Sequence, residues 1–162
     1  MTADDVLHVT FVCTGNICRS PMAEKIFAEH VRREGLGDRV RVSSAGTHGW
    51  HVGSEADPRT NAVLQRHGYP TGHVAAELGP SHLSADLVVS MTAHHDRAVA
   101  HLGVPAERRV LLRSLDPDAD GDSVPDPYYG GLPEFEQVRD QIENLMKDAS
   151  SSELKSMTEA VS

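Results

Sequence analysis

Cys13 and Arg19 stand six positions apart in the string Cys-Thr-Gly-Asn-Ile-Cys-Arg-Ser-Pro, residues 13–21. One loop of that length can bring a thiol and a guanidinium to the same anion. Attack on a phosphate ester needs a nucleophile at the floor of a cradle of backbone N–H groups. A loop running into a helix N-terminus supplies those donors together with a partial positive charge. The same field, with the guanidinium of Arg19, favours a thiolate over a thiol at Cys13. Arg19 can fork two hydrogen bonds onto a phosphoryl group and stabilise the charge on its equatorial oxygens, which lysine cannot copy. Gly15 is expected to turn the loop with a positive φ. Taken singly, Cys13 reads as a strand-end core residue and Arg19 as a surface helix residue; the whole string in its context carries the chemistry.

The elements around the string agree with that role. Leu7 to Val12 is short, apolar and β-branched, a buried strand that runs straight into the loop. Ser20 and Pro21 read as an N-cap and a first-turn proline, and Met22, Ile26, Phe27 and Val31 recur at helical spacing until Gly35. Further strands are expected at Val40–Ser44, Leu87–Ser90 and Val110–Leu112. Helices are expected at Pro58–His67, capped by Asp57 and closed by Gly68, at Thr92–Leu102, and at Pro133–Met146, with Phe135, Val138, Ile142 and Leu145 on one face. Strands alternating with helices of these lengths argue for an α/β fold, a single-domain doubly wound (flavodoxin-like) sheet of four parallel strands flanked by helices. Ligands bind such sheets beyond the carboxyl ends of the strands, where Cys13 falls.

Composition narrows the rest. The chain has 162 residues, which suits one domain, expected over residues 1–149, with a polar, mobile tail at 150–162. No run approaches the ~18 apolar residues of a membrane span, and the acidic start Met1-Thr2-Ala3-Asp4-Asp5 has no signal-peptide pattern. Two cysteines exclude a disulfide scaffold and make a reducing compartment the default. The net charge of −9 lies wholly in residues 116–162, with 12 acidic and 3 basic side chains, since residues 1–115 balance at 12 each. Arg32-Arg33 and Arg108-Arg109 are too little to neutralise a nucleic-acid backbone. Asp116, Asp118 and Asp120 imitate an EF-hand start, but Pro127 occupies the twelfth position, where a bidentate Glu is required. His94 and His95 are adjacent and diverge on a helix, and the ten histidines read mostly as surface residues.

With C-x5-R-S-P enclosing Thr-Gly-Asn-Ile-Cys, the chain resembles the low-molecular-weight protein tyrosine phosphatases, in a bacterial-type form. Ser44-Ala45-Gly46-Thr47, Trp50-His51-Val52-Gly53, Asp57-Pro58-Arg59, His67-Gly68-Tyr69 and Asp126-Pro127-Tyr128-Tyr129 fit the same pattern. The resemblance implies Cys13 as nucleophile, Arg19 as phosphate clamp and a phosphate-binding loop of Thr14, Gly15, Asn16, Ile17, Cys18 and Ser20. Asn16 would hold the loop in shape, Ser20 would hydrogen-bond the thiolate, and Ser44 and His73 would tie Asn16 into a network behind it. Cys18 matches a second loop cysteine able to form a reversible disulfide with the nucleophile. Ser90 to His95 and Ala76 depart from many members, which bears on packing behind the site and not on its chemistry.

A tyrosine phosphate expels a phenolate whose conjugate acid has a pKa of ~10, so a carboxylic acid that donates a proton speeds the step. The resemblance gives this role to Asp126, in a loop stiffened by Pro127; the residues alone leave it equally a member of the acidic turn with Asp116, Asp118, Asp120 and Asp122. Of seven aromatic residues, Trp50, Tyr128 and Tyr129 lie in loops expected at the pocket mouth, where flat rings sandwich a phenyl ring and exclude the shorter serine phosphate. Tyr129 reads also as a core aromatic. The expected protein is a cytoplasmic monomer needing no cofactor or metal, with export without a signal peptide left open. It acts on phosphotyrosine-containing proteins, is inhibited by inorganic phosphate or vanadate, and binds neither nucleic acid nor membrane. An arsenate reductase shares the fold but needs further cysteines to relay a disulfide. In a protein-arginine phosphatase the resemblance places Thr where this chain has Ile17. An idle phosphotyrosine-binding module is disfavoured by Cys13, Arg19 and Asp126 together.

Overall fold

A computed structural model describes residues 6–112, 124 and 126–150. Four strands, β1 (Leu7–Cys13), β2 (Val40–Gly46), β3 (Leu87–Ser90) and β4 (Arg109–Leu111), form one all-parallel sheet in the order β2-β1-β3-β4. β1 is central because its sequence is apolar on both sides: Leu7, Val9, Phe11 and Cys13 join one buried cluster, and Val12 joins the other. The chain leaves β1 toward β2 on one side and returns to β3 on the other. The strand order therefore reverses at β1, and the crevice at such a switch point opens at its carboxyl end, beside Cys13.

Among the described residues five α-helices cover the sheet: α1 (Arg19–Arg33), α2 (Pro58–Arg66), α3 (Pro80–Leu83), α4 (Ala93–His101) and α5 (Leu132–Ser150). The larger core joins α1, α2 and α5 to the Cys13 side of β1 through Met22, Ile26, Phe27, Leu64, Phe135 and Ile142, and Phe11 meets Phe27 edge-on at 5.6 Å. On the other face Val99 of α4 packs with Val12, Val88 and Val104. Phe135, Val138 and Ile142 are buried as their spacing implies, while the Leu145 side chain falls outside the described residues.

Several expected boundaries move. α1 begins at Arg19, so Ser20 is not its cap; the cap position is Cys18, which makes no side-chain capping bond. Ser20 instead turns its hydroxyl into the loop, toward the Cys13 sulfur. β2 extends to Gly46 because the chain beyond Ser44 still pairs with β1, Cys13 lying opposite Gly46. Thr92 caps α4, accepting from the His95 N–H, and the helix ends at His101. Asp57 caps α2 as expected, accepting from the Arg59 N–H at 2.9 Å. β4 starts one residue early and α5 runs to Ser150. α3 and a 3-10 turn at Ala106–Arg108 are too short to leave a periodic signal. The acidic run Asp116–Asp122 and the tail beyond Ser150 lie outside the described residues. Among the described residues no helix is long and apolar enough to cross a membrane.

Candidate active site

The loop after β1 closes over its own backbone. Its positive φ belongs to Asn16, at 59°, and not to Gly15 as expected. Asparagine tolerates that conformation when its side chain is held, and here every polar atom of the buried Asn16 side chain is bonded. Nδ2 donates to Ser20 Oγ at 2.8 Å and to Ser44 Oγ at 2.9 Å, while Oδ1 accepts from the Ala76 N–H at 2.9 Å. The glycine that the loop needs is Gly46 on the neighbouring strand. A Cβ there would stand 2.7 Å from the Thr14 carbonyl oxygen, so only glycine lets β2 approach this closely.

Ser20 Oγ lies 2.9 Å from Cys13 Sγ. Because that oxygen already accepts from Asn16, its own proton is free to be donated to the sulfur at the floor of the loop. Behind Asn16, His73 Nε2 lies 2.7 Å from the Asn16 carbonyl oxygen. A carbonyl only accepts, so His73 carries its proton on Nε2; burial pushes its pKa down and keeps the ring neutral. Ser44 Oγ in turn donates to Glu24 Oε1 at 2.5 Å. Ser44 and His73 thus both bond Asn16, and Glu24, which the sequence does not single out, extends the network.

Arg19 is buried, anchored by Nη1 to the Val124 carbonyl at 3.0 Å, with Nη2 3.5 Å from Asp126 Oδ2. Asp126 also accepts from the Tyr128 N–H at 3.1 Å. Cys13, Thr14, Gly15, Ile17, Cys18, Arg19, Trp50, His51, Asp126, Tyr128 and Tyr129 line one cleft of ≈ 270 Å³. Trp50 stands at its mouth, 71% exposed and stacked on His48 with ring centroids 4.2 Å apart. Tyr129, 94% exposed, meets Tyr128 edge-on at 5.0 Å, so it is a rim residue and not a core one.

The segment carrying Asp126 is held in place by a residue to which motif reading gave no role. Arg59 forks onto both oxygens of Asp57, at 3.0 and 2.9 Å, and reaches on to the carbonyls of Gly130, at 2.6 Å, and Tyr128, at 3.0 Å. Asp57 itself donates its N–H to the Ile17 carbonyl at 2.9 Å. One chain of bonds therefore runs from the loop after β1 through Asp57 and Arg59 to the segment carrying Asp126. Arg59→Gln should lower kcat by roughly 3–30-fold, two charge-assisted hydrogen bonds being at stake, with a smaller change in phosphate inhibition, measured as Ki. Equal losses in both would place Arg59 in general folding instead.

Histidines are the other correction. Only His67, His94 and His101 are exposed, whereas His73 and His95 are buried beside the loop. Cys18 is buried too, and burial pushes its thiol up to about 12, with the Asp57 carboxylate adding to the effect.

A family model described as low molecular weight phosphotyrosine protein phosphatase matches residues 8–159. Low molecular weight protein-tyrosine phosphatase A of Mycobacterium tuberculosis is 57% identical over 144 residues, covering 88% of each chain. The crystal structure of a protein tyrosine phosphatase from Entamoeba histolytica matches with a TM-score of 0.84 at 27% identity, covering 93% of this chain and 98% of that one. An arginine phosphatase of Drosophila matches with a TM-score of 0.80 at 30% identity, covering 86% and 93% of the two chains.

Proposed function

The chain belongs to the low molecular weight phosphotyrosine protein phosphatase family, and from that premise we propose that it hydrolyses phosphotyrosine in proteins through a phosphocysteine on Cys13. The observation that carries the assignment is the single cleft shared by Cys13, Arg19 and Asp126. In the first step Cys13 Sγ forms a bond to phosphorus as the bond to the phenolic oxygen breaks. The departing electron pair stays on that oxygen, which takes a proton from Asp126. Arg19 and the N–H groups of residues 14–19 hold the three remaining oxygens. In the second step the Asp126 carboxylate takes a proton from water, whose oxygen attacks phosphorus and returns the Cys13 thiolate. No step calls on a metal or cofactor.

Ile17 on the cleft wall supports an aryl substrate: a branched apolar side chain offers no partner to a guanidino group. An arsenate reductase relay has no thiol to use beyond Cys18, the chain holding two cysteines. The need for a free thiolate supports action in the reducing cytoplasm. A panel of phosphotyrosine, phosphoserine and phosphoarginine peptides tests the reading, run with and without EDTA. Turnover should be confined to phosphotyrosine and indifferent to chelation. Faster release from phosphoarginine would overturn the substrate, and loss in EDTA restored by zinc or magnesium would overturn the mechanism.

Trp50→Ala should raise KM for phosphotyrosine peptides about 2–10-fold, the worth of one aromatic contact, with little change in kcat. A rim residue binds ground and transition states alike. A collapsed kcat at unchanged KM would move Trp50 from the rim to the reacting centre.

A further inference from the structure

One buried group beside the loop has no part in this mechanism. His95, in the first turn of α4, is 1% exposed, with Nε2 2.8 Å from Thr14 Oγ1 and Nδ1 3.1 Å from Thr92 Oγ1. The segment that carries it is fixed to the sheet end, the Met91 N–H donating to the Val12 carbonyl at 3.0 Å. Burial above all, then the Arg19 cation, pushes the His95 pKa down to about 3. The ring is neutral at working pH, with one nitrogen a donor and the other an acceptor.

The partners decide which is which. Thr92 Oγ1 accepts the His95 N–H as the cap of α4, at 3.2 Å, and among the described residues its own proton has one acceptor, His95 Nδ1. The ring proton then sits on Nε2 and is donated to Thr14 Oγ1. The reverse tautomer would leave the Thr92 proton to solvent and spend the Thr14 proton on the ring. With the ring as donor, the Thr14 proton is directed away from the histidine, and Thr14 lines the cleft. We infer that His95 is a positioning residue for phosphate binding: the relay from Thr92 through His95 turns the Thr14 hydroxyl toward the phosphoryl oxygens, adding a side-chain donor to the N–H cradle. The inference rests on the loop being the phosphate site proposed above.

Inorganic phosphate and orthovanadate are the probes, with Ki measured against an aryl phosphate. Thr14→Val and His95→Leu should each weaken both inhibitors roughly 3–10-fold, the range of one hydrogen bond. Thr14→Ser keeps the hydroxyl, and His95→Gln keeps a donor near the Nε2 position, so both should hold close to wild type. Thr14→Val/His95→Leu should bind no worse than the weaker single variant, because both remove the same interaction. Losses that multiply in the double variant, or His95→Gln as weak as His95→Leu, would overturn the relay. Should His95→Leu fail to fold, Thr14→Val and Thr92→Val decide: oxyanion affinity unchanged in either overturns it. A wild-type protein that neither binds phosphate nor hydrolyses phosphotyrosine would overturn the function, whereas an active wild type with a flat variant series would overturn the relay alone.

Discussion

Cys13→Ser is expected to abolish turnover while leaving oxyanion binding in place. A serine hydroxyl at the loop floor is not ionised by the Ser20 contact, 2.9 Å from the sulfur in the native chain, and a neutral hydroxyl is a weak nucleophile. The fall in kcat should reach about 10⁴-fold or more, as when a nucleophile that acts with its partners as a unit is removed. The N–H groups and Arg19 are untouched, so phosphate and vanadate should still perturb the variant, measured by thermal shift or calorimetry. Cys18→Ser provides the contrast. Burial holds the Cys18 thiol near 12, so at neutral pH it contributes no thiolate to the reaction, and the variant should retain most of its turnover. Peroxide should separate the two roles. Oxidation turns the Cys13 thiolate into a sulfenic acid, and the Cys18 thiol condenses with it, releasing water and forming a disulfide that a thiol reductant reopens. Without Cys18 the sulfenic acid advances to irreversible acids, and recovery under dithiothreitol should fall. Equal inactivation by both substitutions would overturn this division of labour.

What the sequence disclosed and what it hid follow from the range over which each interaction acts. The strand-loop-helix at residues 7–33 was legible because its signals are local: a β-branched apolar run, a compact motif and a helical period. Cys13, Arg19 and the loop between them are therefore read as one unit. Asn16 is the instructive error there. Glycine is the default for positive φ, yet the turn at Asn16 is secured by Ser20, Ser44 and the Ala76 N–H, up to 60 residues away. Gly46 is needed because the Thr14 carbonyl lies beside it, a contact between two strands that neither segment announces. Arg59 and His95 were hidden for the same reason. Arg59 stands in Asp57-Pro58-Arg59 without a role until the carbonyls of Tyr128 and Gly130 arrive from the far end of the chain. His95 reads as one of a surface pair until Thr14 meets it across 81 positions.

Asp126→Asn carries the second large effect, because it removes the proton without removing the shape. Asparagine keeps an oxygen for the Tyr128 N–H, so the loop that Arg59 fastens should stay in place. Hydrolysis of phosphotyrosine should slow by roughly 10² to 10⁴, the usual range for a general acid. The loss must depend on the leaving group. An aryl phosphate whose phenol is strongly acidic expels a stable phenolate that needs no proton, so the two proteins should converge on such substrates. The wild type should then show a shallow dependence of kcat/KM on leaving-group pKa and the variant a steep one. The ion pair with Arg19, at 3.5 Å, acts in the opposite sense, since the neutral amide leaves the guanidinium freer to hold phosphate. Phosphate inhibition of the variant should therefore be unchanged or tighter even as turnover falls. Parallel plots for the two proteins would remove Asp126 from the acid role and pass it to Asp122 or Asp120 in the acidic run upstream.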